Sequence, residues 1–595
     1  MAIVVLTGLA VVTPWAMGSV SPLAVRCVTL LALGGALAAV VVQFLGHDER
    51  SPVVPVWPVV AFLALGLLQL LPLPALLHAV LAPGSCAVWH PADPAVAAVL
   101  GDGMRPASVD PAATARSLLL AAGLVALAVL AAPALADVTC AARVAVALTV
   151  SGLALSIYAI VARAIFGALL FGRYAVPTIS PFGPFVSKNH FAGHVEMAAL
   201  VAFGLALGLA DRERDRSSLD WVRSPRAIRV LLAAGAALVM SLAILASLSR
   251  GGILSLGAGV LLLLWIRRST RRESRAGAGA RFGLPLGLIA LAVAGVSLFL
   301  LLPREAQERI AGITGAASEQ SGSFRLDTWR DSLRLAASSP LIGQGLGGFA
   351  ESFPRFKQGH GELRVDHAES DVLEVLAEAG MVGLGLGVLT VLLLAHAVHG
   401  GLRRRSAGPQ GRGGDRLRRG IGAGALAAVL ALVVHSGFDF NLRIPSNAAL
   451  FALATALAAG SAGGRDVSPA PGRARLVVTG ALLIVGLVWG FRIPLAPVSA
   501  GRDDVALAAS IRRPEGRALR LARADAALVA SLRTRPADAE SWYMLAWTRA
   551  ALARAQEARA LAGYARSLDP TRPSLREAIA RLEAALAEAR TKARK

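Results

Sequence analysis

Apolar and polar residues separate along this chain into long blocks. Runs of about 17–25 apolar residues, the length that crosses a hydrocarbon core as helix, recur as far as residue 493. In lipid the backbone must satisfy its own hydrogen bonds, so runs rich in Leu, Ala, Val and Gly predict helices. The shorter alternating segments of a membrane β-barrel do not occur. Spans are predicted at approximately 2–18, 24–45, 54–72, 116–136, 142–166, 190–210, 229–248, 252–266, 283–302, 371–397, 420–436, 444–460 and 476–493. The fold expected is all-α: a polytopic transmembrane helical bundle of about thirteen spans, then a small soluble α-helical repeat domain. The first run lacks the basic start and cleavage site of a removable signal peptide and reads as the first span.

Charge orients this bundle. Only 16% of the 595 residues are charged, against about 25% in soluble proteins. The formal net charge is nevertheless +22. Six Arg fall in 211–229, six in 267–281, seven in 403–419 and three in 465–475. These loops follow every second span, so all four can lie in the cytoplasm, where short Lys/Arg-rich loops stay. The N-terminus is then expected in the cytoplasm, and the C-terminal domain outside, in the periplasm or cell exterior. The basic residues thus signal topology and contact with membrane lipid, and no nucleic-acid binding is expected. Cys27, Cys86 and Cys140 suggest neither a disulfide framework nor metal-ligand spacing. No metal and no cofactor are expected.

Four stretches follow in order. Residues 1–180 hold the N-terminal spans and a periplasmic loop, 73–115. Residues 181–460 form the central membrane core with a large periplasmic loop, 303–370. Residues 461–499 carry the last span, and 500–595 turn rich in Ala, Arg and Glu. Pro536 and Pro570 there stand 34 residues apart, the tetratricopeptide period. Trp542, Leu545, Ala546, Ala558, Tyr564 and Ala565 suit the large and small core positions of paired helices. The plainer reading is a generic antiparallel helical hairpin.

Polar residues gather in four segments of the predicted outer face. Lys188, Asn189 and His190 open the sixth span; a helix cap with a snorkelling lysine is the plain account. Arg250 ends Ser247-Leu-Ser-Arg250 before Gly251 and Gly252, on the side where positive residues are scarce. Charge at membrane depth is costly, which favours a function for Arg250. The 303–370 loop contains Arg325, Trp329, the glycine-rich stretch Pro340–Phe349, and Asp366-His367-Ala-Glu369-Ser-Asp371. Acidic residues starting a helix satisfy the macrodipole; His367 gains nothing from it and suits a general base. Finally, His435, Asp439 and Arg443 crowd the turn before Pro445, either as accessory site residues or as a lock between helices with Asp439 and Arg443 paired.

In this order the segments resemble the O-antigen ligase/polymerase family of membrane glycosyltransferases. The likeness covers Ser249-Arg250-Gly251, Arg325 with Trp329, Pro340–Phe349, His367 leading to Glu378-Ala-Gly380, and His435 through Pro445, about residues 180–460. The loop Val109–Thr114 also looks like members that end in tetratricopeptide repeats. The resemblance implies transfer of a polyprenyl-diphosphate-linked glycan to an acceptor hydroxyl in the periplasm, with inversion and without metal. The acceptor would be a growing glycan, lipid A core sugar or a protein hydroxyl, and the repeats would offer a surface to a protein partner. Arg250 and Arg325 would hold the diphosphate through forked hydrogen bonds. In many members the catalytic His directly precedes an Asn. Here Glu369-Ser370 stands at that place, leaving His367 or Glu369 as the base. Lys188, Asn189, His190, His435, Asp439 and Arg443 are candidate accessory residues.

Two other functions fit the same sequence. A transporter of small anions would place ionisable groups near the bilayer midplane; here they cluster at one face, and the few candidates inside spans, His396 and His399, lie near the cytoplasmic end of the tenth. A non-catalytic scaffold would merely anchor the repeats.

Overall fold

A computed structural model describes residues 1–45, 56–176, 180–210, 225–270, 320–407, 413–463, 473–494, 505 and 514–594. The expected span 283–302 lies outside these residues, as do parts of all four Arg-rich loops. Among the described residues, nine helices are long and apolar enough to cross a membrane: Pro22–Leu45, Pro111–Ala131, Val138–Phe166, Lys188–Ala210, Pro225–Ser247, Arg250–Ser269, Asp371–Arg405, Asp415–His435 and Arg475–Arg492. Ala2–Trp15 and Trp57–Leu70 are shorter apolar helices, and Pro445–Ala462 is buried along almost its whole length. The chain is a multi-pass, all-α membrane protein.

The first of two compact units comprises Met1–Val56, Leu120–Ala316 and Leu389–Phe491. Its centre is the helix Lys188–Ala210, packed against Val138–Phe166, Pro225–Ser247, Arg250–Ser269 and Gly413–His435. Small residues explain the closest crossing. A Cβ on Gly204 would stand 2.6 Å from Gly424 Cα, and one on Gly420 would stand 2.4 Å from Gly208 Cα. Small residues four apart on both helices let two backbones touch, the usual basis of membrane helix association. The first helix is shorter than the sequence suggests, running only Ala2–Val12. Pro14 opens a 3-10 turn, Thr13–Trp15, and Gly18 adopts a left-handed backbone (φ 70°).

The second unit comprises Trp57–Leu119, Ala317–Val388 and Arg492–Lys595. Two stretches expected as loops contain helices among the described residues. The region 73–115 forms helices Ala75–Leu81, Pro83–Trp89 and Pro94–Leu100, and a two-residue antiparallel ribbon pairs Pro72 with Pro106. The region 303–370 contains the helix Gln320–Ser338. Its polar composition hid it from a reading based on long apolar runs, because it buries only one narrow face.

The C-terminal helices Pro514–Leu532, Ala539–Ala551, Ala555–Leu568 and Pro573–Arg594 share a core with Val88, Val96, Val99 and Leu100. Trp542 is fully buried. Its indole Nε1 donates to Pro536 O (2.7 Å), and its ring meets Tyr564 edge-on at 5.0 Å. Asp538 caps the helix by accepting from Ser541 N. Polar ties add to this core: Tyr564 Oη donates to Val88 O (3.0 Å), Arg533 Nε donates to Val99 O (2.9 Å), and Arg535 pairs with Glu351.

Lys357 and Asp569 form an ion pair at 3.2 Å with side chains only 3% and 7% exposed. Lys357 Nζ also donates to Gly361 O at 2.9 Å. Removing one member of a buried pair strands the other charge, at a cost of about 3–5 kcal/mol. Lys357→Met should therefore leave the C-terminal helices open to protease, and Lys357→Met/Asp569→Leu should recover much of the loss. Equal resistance in the single variant and the parent would show the pair to be energetically idle.

Candidate functional site

In the first unit, two membrane helices begin with a cation. Lys188 starts Lys188–Ala210, and Arg250 starts Arg250–Ser269 behind the cap Ser249, whose Oγ accepts from Gly252 N at 3.2 Å. The same Ser249 hydroxyl donates to Asn189 Oδ1 at 2.8 Å and so ties the two helix starts together. A cation at a helix N-terminus opposes the macrodipole, so dipole stabilisation cannot explain either residue. Two such ends with their cations instead make a strongly anion-attracting locus.

Beneath it lies a buried polar network. His190 Nε2 stands 3.4 Å from Asp439 Oδ1, with both side chains under 10% exposed. The turn that the sequence offers as a lock between helices thus includes a His190–Asp439 contact. Asn447 Nδ2 donates to His190 O (3.0 Å) and Asn441 Oδ1 (2.9 Å), while its own Oδ1 faces His194 Nδ1 (3.2 Å). Deeper still, His435 Nδ1 lies 3.1 Å from Glu196 Oε2, both fully buried, and Ser255 Oγ donates to the same oxygen. Glu196 escaped the sequence reading because it sits within an apolar run. Its i+6 spacing from His190 gives no sign of a partner 239 residues away. Gly251 is needed here: a Cβ on it would stand 2.9 Å from His435 Nε2.

In the second unit, Arg325, Glu369 and His367 come together. Arg325 Nε pairs with Glu369 Oε2 at 3.3 Å, and Trp329 Nε1 donates to Glu369 O at 3.3 Å. Arg325 and Trp329 are four apart on the helix Gln320–Ser338, so both reach the same face. His367 Nδ1 lies 2.9 Å from Glu374 Oε1, and Ala368 N donates to Glu374 Oε2 at 3.0 Å. Glu374 is 2% exposed and His367 35%. A neutral imidazole that donates its Nδ1–H to this carboxylate carries its lone pair on Nε2. Glu369 itself adopts φ 54°, a strained conformation for a residue with a side chain. That turn puts its carboxylate on Arg325 while His367 turns to Glu374. Glu374, the orienting partner, lies one helical turn beyond Asp371, in the helix that Asp371 begins.

The glycine-rich stretch braces this region. Helix Asp371–Ala407 breaks its regular geometry at Gly380 (φ 65°, ψ −168°). There Met381 N donates to Pro340 O (2.8 Å) and Val382 N to Leu341 O (3.2 Å), while Gln344 N and Gly345 N donate to Ala377 O and Glu378 O. A Cβ on Gly380 would meet Leu341 O at 2.2 Å, and one on Gly343 would meet Glu378 C at 2.3 Å. Buried Gln69 closes the seam, donating to Ile342 O and Glu378 O and accepting from Leu346 N. On the same helix Gln320–Ser338, buried Asp331 and Thr328 hold His360: Thr328 Oγ1 lies 3.0 Å from Nε2, and Asp331 Oδ2 3.6 Å from Nδ1. Burial keeps the His360 imidazole below its ordinary pKa.

The segment 235–388 matches the family model for O-Antigen ligase. The chain carries an O-antigen ligase domain. This ligase segment includes Arg250, Arg325, His367 and Glu369, together with Glu374; Lys188, Asn189, His190, Glu196, His435, Asp439 and Arg443 lie outside it in sequence. No curated protein matches the chain. The ligase domain places the protein in cell-surface polysaccharide assembly, with a glycosyltransferase-like activity on glycan and lipid-linked substrates in general. One group among the described residues has metal-ligand composition: His78, Cys86 and His90. Burial lowers the pKa of both imidazoles, His78 to about 4.

Proposed function

We propose that this protein transfers a polyprenyl-diphosphate-linked glycan to an acceptor hydroxyl on the periplasmic face, with inversion at the anomeric carbon. The observation that carries this reading is the His367–Glu374 pair at 2.9 Å beside the Arg325–Glu369 pair at 3.3 Å. A base and a cation adjoining in sequence and structure suit a reaction that takes one proton and releases one dense negative charge. The acceptor oxygen gives its proton to His367 Nε2 as it attacks the anomeric carbon. The bond from that carbon to the diphosphate oxygen breaks, and the lipid diphosphate leaves. Glu374 holds the imidazole in position and stabilises its cationic form, as a carboxylate partner does for a catalytic histidine. Glu369, already engaged by Arg325, is assigned the positioning of that guanidinium, so His367 is preferred as the base. Arg250 and Arg325 are each assigned a phosphate-binding role through their forked guanidinium groups. No metal takes part in this proposed step.

The four C-terminal helices are proposed to act as a short tetratricopeptide-like stack that receives an assembly partner or a protein acceptor. In this reading the C-terminal domain is periplasmic and the membrane is the bacterial inner membrane.

The lipid-linked glycan pattern of a strain lacking the protein tests the assignment. Single repeat units accumulating on the lipid carrier would identify a polymerase, and long chains accumulating there a ligase. An unchanged pool of lipid-linked glycan would refute both. One observation favours transport instead: Glu196 and His435 form a buried ionisable pair within membrane helices, where transporters keep coupling sites. Glu196→Gln would then abolish substrate movement, whereas the proposed transferase step uses neither residue.

A further inference from the structure

Helices Ala75–Leu81 and Pro83–Trp89 fold back on each other through Ala82, which is fully buried. The fold brings His78 from the first helix against Cys86 and His90 from the second and its cap. One ligand atom from each of the three lies within 4.8 Å of the other two. The two imidazoles meet edge-on, ring centroids 5.8 Å apart. His78 is fully buried, and Cys86 and His90 are partly so. Two ring nitrogens, His78 Nδ1 and His90 Nε2, are buried without a hydrogen-bond partner. Unpartnered buried nitrogens are rare and call for an explanation. His78 Nε2 is already near Ser85 Oγ (3.2 Å), which leaves Nδ1 as the unsatisfied atom.

We propose that His78, Cys86 and His90 bind a zinc ion that staples this helical hairpin. Two imidazoles and one thiolate are the borderline-soft donors that zinc prefers, and three protein ligands leave a fourth, tetrahedral position for water. The thiolate offsets one of the two positive charges. The nearby Arg105 guanidinium lies over the Trp89 ring and donates to the carbonyls of Leu100 and Gly101, and its charge, like burial, disfavours a protonated His90. Cys86 and His90 are four apart, the spacing that places two ligands one above the other on a helix. His78 joins them only because of the turn at Ala82, so no contiguous ligand spacing announces the site.

The hairpin is a load point for its surroundings. Gly84 N donates to Ser339 Oγ (3.0 Å), Trp89 Nε1 donates to Ser108 O (3.1 Å), and Val88 is part of the core built on Trp542. Zinc bound there would stiffen the base on which the C-terminal helices rest, a role separate from any step of glycan transfer.

The test uses full-length protein in detergent, stripped with a chelator and reloaded with zinc. Elemental analysis should find about one zinc per chain. Cys86→Ser and His90→Ala should each weaken zinc binding more than about 100-fold, the loss that disturbing the outer shell of a metal site alone approaches. Zinc should slow proteolysis of the C-terminal helices in the parent and not in these variants. Cobalt loaded into the parent should give thiolate-to-metal charge-transfer absorption, a readout independent of how the variants fold. Substoichiometric zinc after reloading, cobalt spectra without a thiolate band, or unchanged zinc in all variants would each overturn the proposal.

Discussion

Replacing His367 with Ala is expected to lower glycan transfer by about 10²–10⁴-fold, the usual contribution of a positioned general base, while the protein inserts and extracts normally. The expectation follows from exposure and geometry together. His367 is about one-third exposed, whereas its partner Glu374 is 2% exposed and also accepts from Ala368 N. The carboxylate is therefore fixed, and the imidazole is the member that can meet an acceptor. Glu374→Gln keeps the size of the side chain but not its charge. It should lose a large part of the same rate and shift the pH profile of kcat, which a purely structural residue would not do. Glu369→Gln is the informative companion, because it separates the two bases between which the sequence could not choose. If Glu369 only positions Arg325, this change should be milder than His367→Ala and should raise KM for the lipid-linked donor. Transfer that survives His367→Ala but disappears with Glu369→Gln would move the base role to Glu369. The measurement is in vitro transfer with purified protein, lipid-linked glycan and acceptor.

Arg250→Ala and Arg325→Ala should each reduce transfer by about 10²–10³-fold, comparable to removing one preorganised donor from an oxyanion site. Lysine at either position should recover only part of this, since an ammonium restores charge without the planar fork that grips phosphate. The two arginines differ in their surroundings, and the variants should differ with them. Arg325 is paired with Glu369, so its loss also releases a carboxylate and should disturb the His367 region. Arg250 heads a helix whose dipole disfavours it. Its removal should collapse transfer while the protein still inserts and extracts normally. Wild-type transfer with both alanine variants would remove the phosphate-binding assignment altogether.

Much of this protein is legible in its sequence because lipid imposes so simple a rule. An unpaired backbone group is intolerable in hydrocarbon, so a long apolar run has little choice but helix. Helices occur at every expected span within the described residues, and described members of the Arg clusters sit in helix ends, as Arg403–Arg405 and Arg416–Arg419 do. The second unit obeys subtler rules. Gln320–Ser338 is polar on most of its surface, and its burial depends on Phe349, Phe353 and Val365 far along the chain. Hydropathy alone therefore leaves it as loop.

The site divides in the same way. Arg325, His367 and Glu369 stand out in sequence as polar groups in a membrane protein, and so do Lys188 and Arg250. The sequence by itself determined the helical membrane fold and the residue types available for chemistry, since both depend on local composition and solvent. Only the tertiary structure decided which carboxylate serves which cation or imidazole: Glu374 for His367, Glu369 for Arg325, Glu196 for His435, Asp439 for His190. Those pairings act over 3 Å or so, and the chain distances separating them range from seven residues to more than two hundred. No periodicity reports a contact that exists only once the helices have packed.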